Sequence, residues 1–370
     1  MFQTQHAALP VADHDEFARE EFCGTMRRFF TTQIWPGNAE LYRQAKLPEF
    51  EARRGRAPQS RQEIVELMEE TFYYRAGCLL GRTTQEIMWD SVSESIARQA
   101  EHLKEVAAQP GALGTLTLHP EMKMPNYISA VDIHAMPGNF QTELGEGDVM
   151  AGALYDRGVY VFAFGGLGAL NDGLGQASAH FVKERFVDFQ PRRILDVGCG
   201  PGFTTLPWKE MYPDAEVYGI DVGAPQVRYG HARARSLGVD AHFSQQNGVD
   251  TDFPDGFFDI VSSMLVLHEC PLEVNKALFH EAHRILAPSG IMLHDGYVPS
   301  EEPWTQFISS WFTYNANEPF SVGLRKLDYK RDFTAAGFPQ DGFFSGMREA
   351  VYLKGQLPPV TFAGAVKAAP

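Results

Sequence analysis

Gly198, Gly200 and Gly202 alternate with Cys199 and Pro201 directly after the apolar run "RILDV". Glycines so spaced let a backbone turn tightly and approach a ligand closely, the way a loop grips a cofactor's polar end. The next apolar run, "VYGID", ends in Asp221, nineteen positions beyond Gly202. A carboxylate there is placed to accept from both hydroxyls of a ribose. A dinucleotide fits less well, because G-x-G-x-x-G spacing counted from Gly198 requires glycine where the chain has Phe203. Three histidines are candidate proton carriers, since imidazole titrates near neutrality. They are His134 in "VDIHAMPG", His268 in "VLHECP" and His294 in "MLHD".

The spelling D-V-G-C-G-P-G from Asp196 resembles the class I S-adenosylmethionine-dependent methyltransferases, and the likeness runs over residues 150 to 350. "NGVDTDFPDGFFDIV" resembles that family's adenine loop and fourth strand, with Asn247 where an aspartate is usual. An asparagine carbonyl still accepts from an exocyclic amine. "HEAHRILAPSGIMLHD" is similar to the R-x-L-x-P-x-G turn into the fifth strand, with Ser289 where a second glycine is common. "GALYD" resembles the upstream Tyr-Asp pair of small-molecule methyltransferases.

The resemblance implies S-adenosyl-L-methionine as cofactor. Gly198, Cys199, Gly200 and Gly202 would then hold its methionine part, and Asp196 would act on its amino group. Asp221 would take the ribose, Asn247 with Gly248 the adenine amine, and Val222 would pack on the adenine. Tyr155 would cover the cofactor, with Leu265 a further contact. The reaction is in-line displacement of methyl from a sulfonium, in which alignment and exclusion of water do most of the work. A base is needed only where the acceptor must lose a proton. His268 resembles the histidine of "LHDW"-type O-methyltransferases, but Glu269, Cys270 and Pro271 depart from that pattern. It is therefore either the base or a cofactor contact. His134 and His294 read more simply as hydrogen-bonded structural histidines. No metal site is expected: the histidines of "HEAH" are three apart, not four, and lie on a covering helix.

The elements that must position these residues divide near residue 150. Residues 1–150 read as a mainly helical cap, an acceptor-binding or dimerisation layer. In "PVADHDEFAREEFCGTMRRFF", Phe17, Phe22, Met26, Phe29 and Phe30 suggest one buried helix face. Ser60 with Glu63 and Thr83 with Glu86 read as capping boxes opening two further helices. "GTLTLHP" and "NYISAVDIHAMPG" read as extended, and seven glycines between Gly152 and Gly175 argue against a long helix there. Residues 151–370 read as the methyltransferase domain. Its strands alternate with helices, predicting an α/β, doubly wound Rossmann-like sheet of seven strands. The tail past Pro358 reads as loosely held. An insert, 303–320, carries six aromatic residues between Trp304 and Phe320. That density favours a flat aromatic or polyketide-like acceptor of secondary metabolism, or else a cap packing its own core.

Composition narrows the partners. The formal net charge is −15, with 47 acidic against 32 basic residues. Such a surface repels phosphate backbones and anionic lipid, so neither nucleic acid nor membrane is an expected partner. The fourth strand ends in "SSMLVLH", unlike the Asn/Asp-Pro-Pro-aromatic signature of base amino-methylation. Four scattered cysteines, no signal-peptide pattern and no membrane-length apolar run suggest a reducing, cytoplasmic setting. A homodimer is left open. The expected activity is methyl transfer to a small molecule, on oxygen first. Carbon or nitrogen, a cofactor-binding scaffold without transfer, or an enzyme using the bound sulfonium for non-methylating chemistry, are the alternatives.

Overall fold

The computed structural model describes residues 3–295, 300–348 and 359–370. Its strands are β1 (Leu116–Thr117), β2 (Arg193–Val197), β3 (Glu216–Asp221), β4 (His242–Gln245), β5 (Phe258–Ser263), β6 (Leu286–Asp295), β7 (Phe343–Arg348) and β8 (Val360–Val366). They form one sheet in the order β1-β4-β3-β2-β5-β6-β8-β7. Strands β1 to β6 run parallel, and β8 is antiparallel to both β6 and β7. Seven strands make the expected doubly wound core, and two-residue β1 adds an edge beyond β4.

Each central strand is apolar on both faces, as a parallel sheet covered on both sides requires. Leu195, Val197, Val261 and Met292 pack into one core with Leu278, Phe279 and Phe333. Their neighbours Ile194, Ile260, Ile291 and Leu293 pack into another with Phe181 and Trp208. Chain order reverses at β2, which sends β3 to one side and β5 to the other, so a crevice opens at the carboxyl ends of these strands.

Helices α1 (His14–Phe29), α2 (Trp35–Leu41), α3 (Leu47–Arg54), α4 (Arg61–Glu69), α5 (Phe72–Arg98) and α6 (Ala100–Ala108) make up the helical N-terminal region, followed by the single turn α7 (Asn126–Ser129). Next come α8 (Met150–Phe162), α9 (Gly173–Arg185), α10 (Thr205–Met211), α11 (Ala224–Ser236), α12 (Leu272–Ile285), α13 (Pro303–Asn315) and α14 (Tyr329–Ala335). Among the described residues, no helix is long and apolar enough to cross a membrane.

Several local expectations are corrected. The α1 stripe is inward only in part: Phe30 is buried and Met26 half-buried, but Phe17, Phe22 and Phe29 are exposed, while Glu16, Glu20, Cys23 and Arg27 are buried. These charges can face inward because each is matched. Glu16 accepts a bidentate pair from Arg98, Glu20 pairs with Arg157, and the Arg27 guanidinium lies 3.9 Å from the centre of the Phe162 ring. Ser60 does cap α4 by accepting from the Glu63 N–H, but Thr83 caps nothing, because α5 runs through it and starts at Thr71. Gly152 and Gly158 lie inside α8, where they permit close packing. A Cβ at Gly158 would collide with the Trp89 ring. "NYISAVDIHAMPG" is not extended but holds α7 and a 3-10 turn, Ile133–Ala135. The tail is not loose: β8 lies between β6 and β7, with Phe362 to Ala365 buried.

The aromatic insert packs its own core, the second of the two readings its density allowed. Trp304 stacks on Tyr42 with centroids 4.2 Å apart, and Trp311 lies 5.1 Å from Phe30 and 5.3 Å from Trp35. These rings fill one core with the helical N-terminal region. The Trp311→Ala variant is therefore expected to lose about 3–5 kcal/mol of stability, as large-to-small core changes do. Thermal denaturation reads this as a lowered Tm, while ligand affinity in the β2–β5 crevice should stay within about twofold, because none of the cluster's residues lines that crevice.

Candidate functional site

A cavity opens at the carboxyl ends of β2, β3 and β5. Tyr155, Gly198, Gly200, Asp221, Val222, Asn247, Gly248 and Leu265 line it together. Cys199 and Gly202 lie behind the loop instead, packed near Phe243. Asp196 is fully buried beneath it.

The loop's shape follows from its glycines. Gly198, Gly200 and Gly202 have φ of 69°, 47° and 83°, the left-handed region that side chains disfavour. A Cβ at Gly198 would also strike Val266. Asp221 is tied to this loop: it accepts from the Gly200 N–H at 3.0 Å and the Gly223 N–H at 2.8 Å. Burial pushes its carboxyl up to about 6, against the pull of those two N–H groups. Asp196 accepts the Thr204 and Thr205 hydroxyls on one oxygen, at 2.5 and 2.7 Å, and burial pushes it up to about 7. Its other oxygen, Oδ1, is buried without a donor among the described residues, and so is Oε1 of Gln226 beside Gly200. Two unpartnered acceptors at one loop can be satisfied by a ligand that brings N–H groups, an ammonium above all.

A second constellation stands at the mouth. Glu269 and Cys270 line the cavity, and His268 lies on the same 3-10 turn, Leu267–Glu269, after β5. His134 reaches across from the N-terminal region with both ring nitrogens engaged. Its Nε2 is 2.9 Å from Glu269 Oε1, and its Nδ1 is 3.0 Å from Glu318 Oε1. His268 Nε2 lies 3.8 Å from the same Glu269 oxygen. Burial draws the His134 ring downward, but its bonds to Glu269 and Glu318 outweigh this and raise it to about 10. The backbone is bent to make this reach: His134 has φ 59° and ψ 15°, Ala135 φ 54°, and Leu265 across the mouth φ 56°. Non-glycine residues held there cost about 1–3 kcal/mol each and persist where surroundings over-determine them. The clamp is visible, since the His134 carbonyl accepts from Gln85 Nε2 and Trp89 Nε1 at 2.5 and 2.9 Å.

His294 is elsewhere. It lies within β6, fully buried between Phe279 and Phe333, bonded through Nδ1 to Ser263, and burial lowers it to about 3. The side chain of Asp295 lies outside the described residues. Glu318 carried no signal in sequence, since it follows the helix of the insert and meets His134 only through the fold. Glu269 was readable only as the neighbour of His268.

Residues 194–290 match the methyltransferase domain family. The chain is 36% identical over 100 residues to demethylmenaquinone methyltransferase of Thermus thermophilus, covering 27% of this chain and 44% of that protein. It is 31% identical over 120 residues to ajmaline N-methyltransferase of Rauvolfia serpentina, covering 30% and 40%. It is 27% identical over 140 residues to malonyl-[acyl-carrier protein] O-methyltransferase of Legionella pneumophila, covering 36% and 46%. The chain thus spans under half the length of these three relatives. Residues 194–290 are thus a methyltransferase domain, and through it the chain is similar to S-adenosylmethionine-dependent methyltransferases.

Proposed function

We propose that this chain transfers a methyl group from S-adenosyl-L-methionine to a small acceptor, on oxygen, with His268 at the acceptor's proton. The observation that carries this reading is the joining of the glycine loop to Asp221 around one cavity, with unpartnered acceptors at the loop. Asp221 keeps free lone pairs for a ribose diol after accepting its two N–H groups. Asp196 and Gln226 receive the ammonium of the methionine part, for which the Gly198–Gly202 loop with Cys199 leaves room. Asn247 and Gly248 meet the adenine amine, Val222 and Leu265 its ring, and Tyr155 covers the cofactor. Bound S-adenosylmethionine supplies a methyl on a sulfonium, already activated for displacement. What this chain adds is alignment, exclusion of water and a place for the acceptor's proton.

The relatives' names differ in the atom they methylate, so the acceptor is decided by this chain's own mouth. There, two histidines and two glutamates converge, supporting an acceptor that sheds a proton. Labelled cofactor incubated with phenols, enols and amines tests the reading. Label on a phenol or enol oxygen is expected. Label on carbon or nitrogen would select those alternatives, and tight cofactor binding with no transfer to any small molecule would leave only a scaffold.

Cofactor affinity should also depend on pH with a definite sign. Ligand hydroxyls and an ammonium favour the ionised carboxylates, and burial holds free Asp221 near 6 and Asp196 near 7. Affinity for S-adenosylhomocysteine should therefore rise between pH 5 and pH 7, by up to about tenfold per unit where one group titrates, and level off above. Calorimetry across that range checks this, and Asp221→Asn should flatten the lower part of the rise.

A further inference from the structure

We propose that His134, His268 and Glu269 form a binding site for a first-row divalent transition-metal ion at the mouth of the cavity. The three offer one ligand atom each, and these atoms all lie within 4.8 Å of one another. Metal–nitrogen and metal–oxygen bonds of about 2.0–2.2 Å place neighbouring ligand atoms roughly 3–4 Å apart. His134 Nε2 and His268 Nε2 stand at 2.9 and 3.8 Å from Glu269 Oε1. Two imidazoles and a carboxylate suit zinc or iron(II), and leave further positions open.

Two independent features single out this cluster. The first is its outer support. A histidine ligand commonly turns its second ring nitrogen to a carboxylate, which fixes the ring and raises its basicity. His134 Nδ1 does so to Glu318, 3.0 Å away, and Glu318 in turn accepts from the Ser321 hydroxyl at 2.9 Å. The second is the strained turn, with His134 left-handed and its carbonyl clamped by Gln85 and Trp89. That investment aims one imidazole at a fixed point. A bound ion takes the place of the proton between His134 Nε2 and Glu269, while the bond to Glu318 is kept. Glu269 lines the cavity, so an open coordination position faces it. An acceptor oxygen there would lose its proton to solvent more readily, as metal-bound water does. In the loaded protein this role replaces the one given to His268.

The proposal does not rest on methyl transfer. Metal-stripped protein titrated with Zn²⁺ should bind one ion per chain, and Co²⁺ in its place should give visible d–d bands. His134→Ala, His268→Gln and Glu269→Gln should each weaken Zn²⁺ by at least about 100-fold, and Glu318→Gln, a positioning change, by about 10–100-fold. His268→Gln, which leaves the bonds of His134 to Glu269 and Glu318 in place, serves where the other changes unfold the chain. No saturable binding, or equal binding by wild type and His268→Gln, overturns the site. The same samples titrated with S-adenosylhomocysteine separate the two readings. Cofactor binding and turnover without metal binding would end this proposal and spare the function, and metal binding without turnover would do the reverse.

Discussion

Asp221→Ala is expected to weaken S-adenosylhomocysteine binding by roughly 10²–10³-fold. A hydrogen bond to a charged group contributes about 1.5–3 kcal/mol, two to a diol therefore about 3–6, and each 1.4 kcal/mol is a factor of ten. Part is regained because water replaces the carboxylate, which keeps the estimate at the lower end. The variant loses more than ribose contacts. Its carboxylate also receives the Gly200 and Gly223 N–H groups, so removal unties the loop it orders. Asp221→Asn separates the two effects, since its amide oxygen can still accept one of those N–H groups. It should bind more tightly than the alanine variant and more weakly than wild type. Calorimetric titration with the demethylated cofactor decides it, and affinity within about threefold of wild type in Asp221→Ala would remove Asp221 from the site.

The residues of this half were readable because their constraints are local. A parallel strand covered on both faces carries apolar residues toward each, and Ile194 with Leu195 and Ile260 with Val261 announce β2 and β5 in that way. Gly198 and Asp221 stand at fixed offsets from strand ends, so spacing alone places them at one crevice. The acceptor end has no such rule. His134 and Glu269 are 135 positions apart and meet Glu318 only because the N-terminal region folds over β5. His134 moreover occupies a left-handed turn that no glycine or proline at that position announces. The α1 stripe fell short for a related reason. Apolar spacing assumes that charges face water, whereas Glu16 and Glu20 turn inward to arginines supplied by α5 and α8. Likewise "VTFAGAV" looks too small to anchor a tail. Small residues are what fit there, because a Cβ at Gly364 would collide with the Phe344 ring.

A stability effect as large as that of Trp311→Ala belongs to Asp156, the partner of Tyr155 in "GALYD". It is fully buried and gathers segments distant in sequence. Gln3 and Asn171 donate to its Oδ1 at 2.9 and 3.0 Å, and the Tyr229 hydroxyl donates to Oδ2 at 2.9 Å. His6 lies at 3.3 Å and the Arg233 guanidinium at 3.4 Å. Burial alone would raise this carboxyl, but the His6 bond and the Arg233 charge outweigh it and hold it below the usual range. Asp156→Ala strands a buried arginine, and breaking a buried pair from one side costs about 3–5 kcal/mol. In a chain of this size that is a fall in Tm of about 4–6 °C. The sign with pH follows: a depressed native pKa contributes stability above the ordinary carboxylate value, lost as pH falls through the native one. Wild type should lose more stability than Asp156→Asn on acidification below pH 4. A compensated pair, Asp156→Leu with Arg233→Met, should recover part of the loss, because removing both charges avoids the stranded one. A Tm change under about 2 °C in Asp156→Ala would show that this network carries no weight, and with it the anchoring of Tyr155 at the cavity.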